Sequence, residues 1–155
     1  MLRTPIQQGK FLSDFGPLLC WVFPPEDLYD PLAEETLSPD KVTYIFNISH
    51  KYVGRHAVFI EIPTKKQPGR VVENNLRLST EISDGNNDPF VGSSERGSPY
   101  FGRDKYGYYY VGYKVPENVP VAKEATVQIE IGKGINDFLK RHKTAKIVIR
   151  KMSDQ

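Results

Sequence analysis

The chain is short of cysteine, of charge imbalance and of long apolar runs, and each shortage removes a class of protein. One cysteine, Cys20, in 155 residues rules out an internal disulfide, so the fold must stand on its hydrophobic core. Cys20 lies in Leu18-Leu19-Cys20-Trp21-Val22-Phe23, where a thiol packs as a small hydrophobe. Pro17-Leu18-Leu19 lacks the small residue that lipoprotein processing needs before the cysteine. A formal net charge of +2, from 21 basic and 19 acidic residues, gives no electrostatic argument for nucleic acid, which wants a basic stripe. No apolar stretch reaches the roughly 20 residues of a membrane span, so no transmembrane segment is expected. Met1 to Lys10 lacks the apolar core of a secretion signal. The location then has two readings: periplasmic or secreted if a signal was removed, cytoplasmic otherwise.

Chemistry-bearing motifs are equally scarce. His50, His56 and His142 lack zinc-ligand spacing, although His50 and His56 bracket a short link and could approach across it. Asp84, Asn86, Asp88 and Glu95 stand at the first, third, fifth and twelfth positions of a calcium loop. The sixth position, where Gly is needed, is Pro89, so the segment reads as a turn and the four residues as a weak calcium candidate. No serine sits in a nucleophile-elbow motif, and Gly132-Lys133-Gly134 lacks the rest of a phosphate-binding loop. Glu61, Glu81, Asp104 and Glu130 read as the polar faces of strands, although two such carboxylates could in principle serve a hydrolase. The expectation is no cofactor, no resident metal and no catalysis. Asn47-Ile48-Ser49 matches a glycosylation triplet but falls inside an expected strand, and it is read as coincidence.

What the chain does have is glycine and proline, 12 of each, together with alternating segments. Such a density of breakers suits sheets joined by turns better than helical bundles. Val42, Tyr44, Phe46 and Ile48 would share one face of a strand over 41–49, and Ala57, Phe59 and Glu61 would oppose Val58, Ile60 and Ile62 over 55–62. Leu76, Leu78, Thr80 and Ile82 alternate with Arg77, Ser79 and Glu81, the mark of a sheet with one wet face. Further strands are expected over 18–23, 108–115, 124–131 and 146–152, and a short helix over 136–143. Residues 1–40 are otherwise irregular, with one helical turn possible over 32–37, and 83–103 reads as a long polar loop of the kind that is often functional. The fold predicted is all-β: one domain over 1–155, an antiparallel β-sandwich of about seven strands in immunoglobulin-like or jelly-roll style, with a closed barrel as the alternative. In architecture alone the pattern is similar to small β-sandwich proteins of the bacterial envelope. No motif identifies a family, and no residue role follows from that similarity.

The densest feature is aromatic. Seven rings lie between Tyr100 and Tyr113, and six of the nine tyrosines are among them. Unbroken alternation would turn Tyr109, Val111, Tyr113 and Val115 inward and leave Tyr106, Tyr108 and Tyr110 in a row facing solvent. With Tyr100, Phe101, Arg103 and Lys105 beside them, these residues form the expected partner-binding surface, since Tyr and Arg dominate protein interfaces. A protein partner is the first reading, as for a bacterial accessory or an inhibitor of immunity type. A carbohydrate is the alternative partner, and a cryptic hydrolase the alternative class.

Overall fold

Alternation of apolar and polar residues divides the chain into two layers. The computed structural model describes residues 26–64, 74–83, 97–102, 104–115 and 124–152. In chain order these form β1 (Ala33–Thr36), β2 (Thr43–Ser49), β3 (Gly54–Pro63), β4 (Leu78–Ser83), β5 (Ser98–Phe101), β6 (Lys105–Val115), β7 (Glu124–Ile131), α1 (Ile135–Arg141) and β8 (Lys146–Lys151). A five-stranded sheet runs β1-β8-β3-β6-β5, a three-stranded sheet runs β2-β7-β4, and every pair is antiparallel. The protein is an all-β sandwich with one short helix. Its core joins Tyr44, Phe46 and Ile48 of β2, Val127 and Ile129 of β7, and Leu78 and Ile82 of β4 to Val58, Ile60, Ile147 and Ile149 of the larger sheet. Phe138 of α1 plugs one end, edge-on to Tyr108 at 5.9 Å between ring centroids. Among the described residues no helix is long and apolar enough to cross a membrane.

Two elements differ from the sequence reading. Residues 32–37, read as a possible helical turn, hold strand β1. The Leu32 and Leu37 amides donate to Ile149 and Ala145 carbonyls at 2.7 and 2.9 Å, so pairing with β8 overrides the weak local preference of two adjacent glutamates. Residues 98–101, read as loop, form β5, and β6 begins at Lys105. Pro99 argues against a central strand and is tolerated here because β5 is an edge. The expected strand over 18–23 lies outside the described residues.

The larger correction concerns the tyrosines. Val58 pairs with Val111 and Phe59 with Tyr109, so Tyr110 is an extra residue in β6, a β-bulge. Before the bulge the inward set is Tyr106 and Tyr108, opposite Ile62 and Ile60; after it the set is Val111, Tyr113 and Val115. Tyr110 itself turns into the core. Tyr108 and Tyr110 are 2% and 0% exposed, and Tyr110 donates its hydroxyl to the Leu76 carbonyl at 3.0 Å. Tyr109, expected inside, lies on the opposite face against Phe59. Of the row expected to face solvent, Tyr108 and Tyr110 are therefore core, and Tyr106 is partly buried against it. Tyr110→Ala should lower unfolding free energy by about 3–5 kcal/mol, and Tyr109→Ala by less than half of that, in urea denaturation. The reverse ranking would mean that the alternation is unbroken.

Candidate functional site

The outer face of the five-stranded sheet, turned away from the second sheet, carries a second apolar cluster. Ala57, Phe59 and Val148 are buried there, with Tyr100, Tyr109 and Met152 packed against them. Strand β3 is thus apolar on both faces, the pattern of a strand covered on both sides. Phe59 meets Tyr100 and Tyr109 edge-on, with centroids 5.2 and 5.9 Å apart. Arg150 holds its guanidinium over the Phe59 ring, 4.4 Å from the centroid, a cation–π contact.

Glu61 anchors the charged rim of this cluster. Its register opposite Gly107 and Lys146 puts it on the outer face. One carboxylate oxygen accepts from Arg150 Nε at 3.0 Å and the other from Lys105 Nζ at 2.9 Å. Glu61 is therefore not the solvated strand residue its alternation suggested: it is buried and paired with two cations. Burial pushes its carboxyl up, but the Lys105 hydrogen bond and the Arg150 charge prevail and hold it below the ordinary range. The Tyr100 hydroxyl is buried close to the same carboxylate without a well-formed hydrogen bond, and desolvation together with the Glu61 charge raises its pKa.

Of the residues picked from sequence, the structure brings Tyr100 and Lys105 together at this cluster. Phe101 is 54% exposed. Its register opposite Tyr106 puts it on the other side of β5 from Tyr100, so the edge strand shows one ring on each side. Tyr108 and Tyr110 are core, and Tyr106 is half-buried with its hydroxyl 3.2 Å from Nδ1 of His142. The Gly102 amide bonds the Lys105 carbonyl at 2.8 Å, closing the tight β5–β6 connection. Arg103 lies outside the described residues, as do Asp84, Asn86, Asp88 and Glu95. Sequence reasoning missed Arg150, Phe59 and Tyr109 as members of the site. The available signal was β3 itself, apolar at both Phe59 and Ile60.

His50 and His56 do approach, as their spacing suggested: the rings meet edge-on at 4.8 Å. His50 Nε2 is 2.8 Å from the Tyr113 hydroxyl, and burial raises the pKa of that phenol. Among the described residues no three His, Cys, Asp or Glu side chains are grouped to hold a metal ion. No family model, no curated protein and no solved structure matches the chain, so the geometry alone supports a functional reading.

Because the folded pKa of Glu61 is depressed, its ion cluster stabilises fully above the unfolded carboxyl pKa of about 4.3, and that contribution disappears as pH falls through the folded value. Glu61→Gln, which strands Arg150, should cost roughly 3 kcal/mol at pH 7. Below about pH 4.5 the variant should lose stability with acid less steeply than the parent. Urea titrations across pH check this, and parallel curves would show that Glu61 is not the linked group.

Proposed function

We propose that this protein is a non-catalytic β-sandwich that binds a protein partner, and that the contact is made at the β5 edge of the five-stranded sheet. The observation that carries the reading is Phe101, a large ring 54% exposed on an edge strand. On the other side of the same strand lie Tyr100, Tyr109 and the Arg150 guanidinium. Aromatic and Arg side chains on a rigid sheet are the usual anchors of protein interfaces. Pro99 has no amide hydrogen to offer, so side chains would carry recognition here, without strand addition. An accessory protein of the bacterial envelope, or an inhibitor that occludes an enzyme, would use such an edge.

The reading is tested with Phe101→Ala and Ser98→Arg, both at exposed positions of β5. Each should leave stability within about 0.5 kcal/mol of the parent. Phe101→Ala should weaken binding of a partner isolated on the immobilised parent by roughly 30-fold, the loss of one interface anchor worth about 2 kcal/mol, and Ser98→Arg, which sets a bulky cation into the contact, should weaken it as well. Titration calorimetry with the purified partner measures this. Unchanged affinity in both variants would remove β5 from the interface, and a protein that retains no specific partner would remove the function.

A further inference from the structure

The sandwich has four sheet edges among the described strands, and three are blunted. β5 is four residues long and contains Pro99, β1 is four residues long and contains Glu34 and Glu35, and β4 carries Glu81, with Arg77 just before its first residue. Short length, proline and charge are the devices that keep edges from pairing with other chains. β2 has none of them. It runs seven residues, Thr-Tyr-Ile-Phe-Asn-Ile-Ser, without charge or proline, and its register with β7 is unbroken from Thr43 to Ser49. Ile45, in the middle of its outer face, is 60% exposed, and Val42 at its start is 60% exposed as well.

The hydrogen-bond phase of this edge is fixed. The Ile131 amide donates to the Val42 carbonyl at 2.8 Å, and Thr43 stands opposite Glu130. Val42, Tyr44, Phe46 and Ile48 therefore direct their backbone groups at β7, while Thr43, Ile45, Asn47 and Ser49 direct theirs at the open edge. Among the described residues no strand takes them up. We propose that the occupant is a second copy of this chain, with β2 pairing antiparallel to β2 of its twin about a two-fold axis through Ile45. In that register Ile45 faces Ile45 and Thr43 faces Asn47, all in hydrogen-bonded pairs whose donors and acceptors already point outward. The exposed Ile45 side chains cover each other. No like charges meet within the paired segment, because it has no charge, whereas the glutamates of β1 would repel in a self-pairing of that edge. The two three-stranded sheets become one six-stranded sheet. The surface is separate from the β5 edge, so the dimer stands or falls independently of the partner-binding reading.

Sedimentation velocity of the intact chain over a concentration series should show a species at twice the 17.7 kDa chain mass that dissociates on dilution. Ile45→Lys puts two ammonium groups face to face and should raise the dissociation constant at least about tenfold, leaving a folded monomer. A second measurement needs no variant. Hydrogen exchange of the Thr43, Ile45 and Asn47 amides should slow as concentration rises, while the β7-bonded amides of Tyr44 and Phe46 stay protected throughout. A monomer at every concentration with those three amides exchanging fast overturns the proposal, and leaves the edge to a strand of a different protein. A dimer that survives Ile45→Lys, or whose formation leaves the three amides unprotected, overturns it as well.

Discussion

The bulge at Tyr110 governs how this sandwich is filled. Over its eleven residues β6 must present Tyr106 and Tyr108 to the core near α1 and Val111, Tyr113 and Val115 farther along, while it pairs with β3. One inserted residue changes the phase midway and lets Tyr108, Tyr110 and Val111 all point into the same space. The same insertion releases Tyr109 to the other face, where its ring meets Phe59. Core and candidate site are thus set by a single backbone irregularity, and the tyrosine-rich segment serves both sides of the sheet at once.

Around that strand, Gly107 and Gly112 fit their places by having no side chain. A Cβ at Gly107 would sit 2.0 Å from the Ile60 carbonyl oxygen, and one at Gly112 would sit 2.2 Å from the Tyr109 hydroxyl. The first keeps β3 and β6 close beside Glu61. The second gives Tyr109 room to lie flat across the sheet. The outer face needs both, because its apolar cluster is small and is closed over by long side chains, Arg150 and Tyr109 among them, that must reach across neighbouring strands.

Much of the architecture was legible in the sequence. β2, β4 and β7 alternate cleanly, since each has one dry and one wet face, and their inward residues Tyr44, Leu78 and Val127 were readable from period alone. Helix α1 falls within one residue of its expected start. β1 and β5 were missed because four-residue edge strands carry almost no periodic signal and are specified by the neighbour they pair with. The candidate site was legible only as a composition. A run of tyrosines announces a special segment, but a period-two reading cannot detect a bulge, and after the bulge every side chain changes face. Glu61 was misread because its two cations, Lys105 and Arg150, come from strands 44 and 89 residues away.

The order β1-β8-β3-β6-β5 has a consequence for the nascent chain. β3, with apolar side chains on both faces, sits at the centre of its sheet between β6 and β8, and both flanking strands are translated later. On the ribosome β2 and β3 emerge together, yet in the finished fold they belong to different layers. β3 must wait through the synthesis of β4 and β5 for β6, and through that of β7 and α1 as well for β8, its second neighbour. During that interval it is a sticky ribbon with an open backbone, a species that chaperones hold and that aggregates when they are scarce.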